Sequence, residues 1–339
     1  MKIFVLISIV LCLYAVPDNI KAQKPTINID EVPAPLFRDP IYDGAADPTI
    51  IWNDTEQEWW IFYTQRRANQ KLENVAYCYG TAIGIAASSD RGRTWYYRGI
   101  ANLPQSDWGH NTFWAPQVKK ANGKYHIFVT YIKGIYNNWG GESRIMHYES
   151  ADLQNWKDAP LNGVPSEVID ASIHRLSNGE WKMWYTLRGQ TYASTSKDLD
   201  NWKKIDKKEV GGPAHEAPVV FKWKGYYWMF VDPRDHGFVG ITAYRSADAT
   251  HWEKNNELLN TPGLRPDEFD QGRHADVVIE GDRAYILYFT HPGRRFDING
   301  IEIRENTHAY RRSSLQMAEL ELKDGKIMCD RDKYISKSK

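Results

Sequence analysis

Three carboxylates and an imidazole stand at the head of four copies of one repeated pattern. Asp47 opens DPTIIWNDTEQEWWIFYT, Asp170 opens DASIHRLSNGEWKMWYT, Glu216 opens EAPVVFKWKGYYWMFVD and His274 opens HADVVIEGDRAYILYFT. A fifth copy, APQVKKANGKYHIFVTY, opens on Ala115. Laid in register, Asp47, Ala115, Asp170, Glu216 and His274 are expected to share one structural position. Such a repeat gathers ionisable groups around a common centre. Two carboxylates across a polar pocket are the minimum equipment for cleaving a glycosidic bond: one protonates the departing oxygen while the other activates water or attacks the sugar. A third carboxylate near the acid raises its pKa by like-charge repulsion. Taken singly, each residue is ambiguous. Asp47 precedes Pro48, and Asp before Pro often only shapes a turn. Asp170 lies between Ile169 and Ala171, where a charge is costly unless the strand faces a polar channel.

The elements that must position these groups are strands. Apolar residues alternate in twos or come in short runs bounded by Gly, Asn, Asp and Pro, and helical periodicity is nearly absent. Each copy holds two strand signals joined by a tight-turn candidate: Asn122-Gly123, Asn178-Gly179, Lys224-Gly225 and Glu280-Gly281. The copies recur every 46 to 68 residues, the period of propeller blades built from about four antiparallel strands. A second motif follows in the first four: SSDRGRTW, ESADLQNW, STSKDLDNW and RSADATHW, ending at Trp95, Trp156, Trp202 and Trp252. It fits an outer hairpin whose Trp wedges between neighbouring blades. The tail through Leu315, Met317, Leu320 and Leu322 completes the last blade, and the segment from about Asn28 to Asp39 is expected to close the ring. The fold class is therefore all-β, a five-bladed β-propeller, with the head of each innermost strand at one mouth of the channel.

Composition limits the partners. Residues 1–22 read as a signal peptide, with Lys2 ahead of an apolar run too short to span a membrane, which predicts a secreted or periplasmic protein. Residues 23–339 form one domain with no further apolar run of spanning length. The 43 basic and 43 acidic residues balance, so no global field draws in nucleic acid. Beyond the leader only Cys78 and Cys329 remain, one possible pair and no zinc framework. Fourteen Trp and twenty Tyr serve packing first, and also suit platforms for sugar rings.

AspProThrIle at 47–50, TrpAlaProGlnVal at 114–118, IleAspAlaSerIle at 169–173 and HisGluAlaProVal at 215–219 resemble the signature regions of glycoside hydrolase family 43, five-bladed propeller glycosidases acting on arabinose- and xylose-containing polysaccharides. The resemblance covers roughly residues 40 to 292. It implies an inverting hydrolysis with Asp47 as general base, Asp170 as pKa modulator and Glu216 as general acid, their carboxyls about 6.5–9.5 Å apart. Gln117 departs from the acidic residue usual in the second motif. The segment GTAIGIAASSD at 80–90 is similar to family 117 enzymes, in which a last-blade histidine takes part in acid catalysis, so His274 rivals Glu216.

Around this trio, His274, Trp114, Arg188, Arg273, Gln117 and His215 are expected to bind an oligosaccharide or polysaccharide substrate. Arg66, Arg67 and Arg234 also stand near blade mouths, where their forks suit vicinal hydroxyls and suit carboxylates better. Trp108 and His110 offer a further stacking face and hydrogen bond. Lone histidines and surface arginines are more often structural than functional. No cofactor is required; a structural calcium near His274 is the one metal that the resemblance suggests. A non-catalytic carbohydrate-binding propeller and a glycoside phosphorylase on the same fold are the alternatives to hydrolysis.

Overall fold

The computed structural model describes residues 24–105, 107–234 and 239–335; the expected signal peptide lies outside them. Five four-stranded antiparallel sheets follow one another along the chain, each running from inner to outer strand in sequence order. The innermost strands are Ala45–Asn53, Thr112–Ala121, Val168–Arg175, His215–Trp223 and Arg273–Glu280. Each touches the next, and the last touches the first, so they close a ring. This is the expected five-bladed propeller. Among the described residues, no helix is long and apolar enough to cross a membrane.

The core is distributed as wedges between blades. One cluster joins blades one and two through Trp60, Phe62, Val118 and Ile127, and others join two to three, three to four and four to five. Both faces of each sheet are thus buried, which explains second strands as apolar as Trp59-Trp60-Ile61-Phe62-Tyr63. The outer-hairpin tryptophans act as the sequence suggested. Trp156 of blade two meets Phe62 of blade one edge-on at 6.0 Å, and Trp252 of blade four meets Trp184 of blade three at 6.3 Å. The turn before each Trp is held by an aspartate: Asp152 accepts the backbone N–H of Gln154 and Asn155, and Asp198 and Asp248 repeat the arrangement.

The seam between blades five and one is closed by a belt rather than a full strand. Leu36 and Phe37 hydrogen bond to Leu315, and Ile27, Ile29, Leu36 and Phe37 are buried against both blades. Blade five takes its third and fourth strands from Ser314–Lys323 and Lys326–Cys329. Between its second and third strands it inserts a small hairpin, Arg295–Phe296 with Glu302–Ile303, and the short helix His308–Arg311. One expectation needs correction and one open alternative closes. The last inner turn is Gly281–Asp282, closed by the pair Glu280 and Arg283, one residue later than expected. Cys78 and Cys329 are both free.

Trp156 is 5% exposed, so truncation leaves a large cavity that packed neighbours cannot refill. Trp156→Ala is expected to cost about 3–5 kcal/mol in denaturant unfolding; a loss under about 1 kcal/mol would show that the wedge does not hold the blades.

Candidate functional site

Each innermost strand begins with a bulge. Pairing with the second strand skips between Ala46 and Thr49, Trp114 and Gln117, Ile169 and Ser172, Glu216 and Val219, and Arg273 and Asp276. The extra residue is left-handed in every blade: Asp47 at φ 48°, Ala115 at 46°, Asp170 at 58°, Ala217 at 56° and His274 at 37°. This corrects the sequence register in blade four. The equivalent of Asp47 is Ala217, and Glu216 stands one place earlier, level with Trp114, Ile169 and Arg273. The signal was present in the sequence, since Ala217-Pro218 repeats Ala115-Pro116 and Asp47-Pro48, but the carboxylate drew the alignment onto Glu216.

The two places aim side chains differently, because a bulge re-aims the chain locally. Asp47 and Asp170, on the bulge, are buried, at 5% and 7% exposed. Glu216, before the bulge, keeps 41% of its side chain open. All three line one cavity of about 750 Å³ together with Trp114, His274 and Arg273. Arg188 joins them at the rim, paired with Glu167 at 3.3 Å.

Identical backbone positions acquire different electrostatics. Asp47 is gripped by Arg66 at 2.8 and 3.0 Å, and His274 Nδ1 lies 3.5 Å from its Oδ1. Burial alone would raise the Asp47 pKa, but Arg66 and then His274 overcome it and hold the carboxyl below its ordinary value. Asp170 has no such cation. Its Oδ2 accepts the N–H of Ala217 at 3.1 Å and the hydroxyl of Thr186 at 3.4 Å. Burial, with Glu216 and Asp47 nearby, drives its pKa well above the ordinary value. Burial raises Glu216 too, against the pull of Arg234, whose Nε is 3.3 Å from Oε2. The cavity therefore holds a carboxylate kept charged and a carboxyl pair that retains a proton. It has the parts of an acid and a base in one pocket.

Trp114 forms one wall. It donates its indole N–H to the Cys78 carbonyl and packs edge-on to Tyr79 at 4.9 Å and Trp139 at 6.1 Å. Arg273 also lines the cavity, with its Nε buried 3.6 Å from Asp270 and without a hydrogen-bond partner among the described residues. The blade-five insertion supplies Arg294, Glu302 and Tyr310 on the facing side.

Five expected residues lie elsewhere. Gln117 is buried between blades two and three, bonding to Ser172 Oγ at 3.2 Å and accepting the N–H of Ile173. His215 is buried with both ring nitrogens engaged, by Thr191 Oγ1 and the Pro213 carbonyl, each at 2.9 Å. Trp108 is 98% exposed, and neither it nor His110 lines the cavity. Arg67 is tied to the Tyr79 and Ala76 carbonyls. A calcium at His274 does not fit: that ion wants six to eight oxygens, whereas the neighbouring carboxylate is already neutralised by Arg66.

Sequence reasoning missed Asp232. Opposite the residue before the bulge, second strands place Thr64, Thr130 and Thr186 in blades one to three and Phe289 in blade five, and blade four alone places a carboxylate there. Asp232 Oδ2 accepts the N–H of His274 at 2.7 Å, and burial pushes its pKa up to about 8. A departure from the repeat was its signal.

A five-bladed propeller with acidic groups from several blades converging on one mouth defines the architecture of the propeller glycosidases. Residues 37–300 match the sequence profile of glycosyl hydrolases family 43, and the chain belongs to that family. It is similar to the probable arabinan endo-1,5-α-L-arabinosidase A of Emericella nidulans, at 22% identity over 200 residues, 54% of this chain and 56% of the relative. The corresponding protein of Aspergillus fumigatus is 22% identical over 204 residues, 55% and 57% of the two chains. The chain thus matches a little over half the length of these curated relatives. In fold it is similar to a thermostable family-43 glycoside hydrolase, with TM-score 0.60, 17% identity and coverage of 87% of this chain and 96% of that one. A family 43 β-xylosidase/α-arabinofuranosidase from a compost microbial metagenome, solved with xylotriose, gives TM-score 0.63 at 14% identity, covering 86% and 95%.

With Arg66 removed, the burial that raises the Asp47 pKa is left largely unopposed. Arg66→Met should move the Asp47 midpoint upward past the ordinary carboxylate value, measured by carboxyl-carbon NMR titration. An unchanged midpoint would show that the guanidinium does not govern this group.

Proposed function

We propose that the protein is an exported inverting glycoside hydrolase that removes terminal sugars from pentose-containing plant or algal oligosaccharides. The observation that carries this reading is the convergence of Asp47, Asp170 and Glu216 on one cavity in unlike electrostatic settings. Asp47, kept charged, takes a proton from water as it attacks the anomeric carbon. Glu216, kept protonated, delivers its proton to the departing oxygen. The two come from blades one and four, which are not neighbours in the ring, an arrangement that leaves room for the water an inverting displacement needs.

Asp170 acts on Glu216 through the Ala217 peptide, whose N–H it holds, and as the partner carboxyl with which it shares one proton, so that charge on either holds the proton on the other. His274 is occupied beside the base at 3.5 Å, so Glu216 is the better-placed acid. The aromatic wall at Trp114 suits a sugar face. The blade-five insertion and the aromatic wall stand around the cavity, as expected for action at a chain end. Arg66, Arg188 and Arg234 each face a carboxylate at 2.8–3.3 Å, so hydrolysis is favoured over phosphorolysis. Residues 1–22 would direct the chain out of the cytoplasm.

Asp47→Asn and Glu216→Gln should each lower kcat/KM on arabino- or xylo-oligosaccharides by about 10²–10⁴-fold with the circular-dichroism spectrum of the folded chain retained, while NMR of wild-type product shows inverted anomeric configuration. Retained configuration, or full activity in Asp47→Asn, would overturn the assignment. The acid limb of the pH profile belongs to Asp47, which must be charged, and the basic limb to Glu216, which must be protonated. Asp170→Asn removes the repulsion that raises Glu216, so the basic limb should shift to lower pH. A basic limb that stays in place would remove Asp170 from that role.

A further inference from the structure

A second constellation lies away from the mouth. His126 on the second strand of blade two and His147 and Glu149 on its third share one face of the sheet, with His126 paired to Glu149 and Phe128 to His147 across the ladder. Both imidazoles are buried, at 2% and 1% exposure. The inner strand between Ala115 and Ala121 rises about 20 Å at roughly 3.3 Å per residue, and His126 meets the carbonyl of Ala121. The cluster therefore belongs to the opposite end of the channel from the catalytic mouth.

The hydrogen bonds around these rings do not close. His126 Nε2 lies 3.3 Å from the Ala121 carbonyl and His147 Nδ1 lies 2.9 Å from the Pro160 carbonyl. A carbonyl oxygen can only accept, so each ring spends its N–H there. The two remaining nitrogens, His126 Nδ1 and His147 Nε2, then face each other as lone pairs at 3.0 Å. Two neutral rings have no proton left to place between them. Burial makes a bare imidazolium a costly remedy. Glu149 stands beside the pair, with Oε1 3.7 Å from His126 Nδ1 and Oε2 held by Lys124 at 2.5 Å. All three ligand atoms lie within 4.8 Å of one another.

We propose that His126, His147 and Glu149 form a structural site for a divalent transition-metal ion, zinc by ligand preference, that fastens the outer strands of blade two. The far-side carbonyls are the partners that orient metal-binding imidazoles and choose their tautomers. Two nitrogens about 2.0–2.1 Å from zinc at a tetrahedral angle stand roughly 3.3 Å apart, so the rings need to part by only a few tenths of an ångström. Phe128 stacks on His147 at 4.3 Å and 9°, holding that ring in place. Glu149 keeps 28% of its side chain exposed, which provides the path of entry and room for water as the fourth ligand. Calcium is a poor occupant because it prefers oxygen donors.

The test uses the purified chain, stripped with a chelator and titrated with zinc and with calcium by calorimetry and thermal unfolding. One zinc per chain is expected, with Tm raised by about 5 °C at zinc 100-fold above Kd. Calcium should give no shift. Glu149→Gln, a change at the partly exposed ligand that leaves the buried pair intact, should weaken zinc binding at least tenfold, and His147→Gln should abolish it. Cobalt in place of zinc should give the visible absorption of a tetrahedral site in wild type alone. No zinc uptake by wild type overturns the proposal, as does binding of equal strength in Glu149→Gln and His147→Gln, which would place the ion elsewhere. Should His147→Gln fail to fold, the Glu149→Gln titration decides.

Discussion

The structure depends on one repeated constraint: the innermost strand of every blade enters the ring through a left-handed bulge, and in blades two to five the N–H of that bulge is answered by the preceding blade. Non-glycine residues pay about 1–2 kcal/mol for this conformation. The N–H groups of Ala115, Asp170 and Ala217 are met by Thr64, Thr130 and Thr186 of the preceding blades, at 2.8, 3.0 and 3.2 Å. Blade five uses Asp232 in the same way for His274. Two of these hydroxyls have a second role, since Thr64 and Thr186 also donate to the bulge carboxylates of their own blades. The fold and the site thus share the same hydrogen bonds, and blades cannot shift without moving the acidic groups.

Symmetry is then broken by neighbours. Asp47 and Asp170 occupy equivalent backbone positions, yet one is held charged by Arg66 and the other, without a cation, is driven toward its neutral form by burial and then by Glu216. Arg66 is itself fixed by stacking on Phe289 of blade five, 4.9 Å from the ring. The seam that closes the ring is therefore also what secures the charged carboxylate. Its stability contribution runs in the usual direction for a depressed carboxyl: present above the unfolded pKa and lost as pH falls through the folded one.

Much of the fold was legible because a propeller writes its period into the chain. Strand alternation recurs in every blade, and glycine turns and the Ser-Asp-Trp motif each recur in four of the five, so weak local signals reinforce one another. The site was legible only in part. Aligning on charge placed Glu216 on the bulge, although the Ala-Pro pair marked Ala217. Gln117 and His215 look like mouth residues because they adjoin it in sequence, but alternation turns their side chains between blades. Asp232 went unnoticed because it sits at the end of a second strand, a place that reads as core.

By itself the sequence determined which chemistry was available: the carboxylates, their blades, the aromatic wedges and the closed all-β ring, since composition and period are local properties. Only the tertiary structure decided which carboxyl is held charged and which pair retains a proton. That choice rests on charge at a few ångströms, between Arg66 and Asp47 and between Asp170 and Glu216, residues separated by 19 and 46 positions along the chain. It also turned His126, His147 and Glu149 from ordinary strand residues into a facing set of donors. Interactions of that kind vary inversely with distance in space and are blind to distance in sequence.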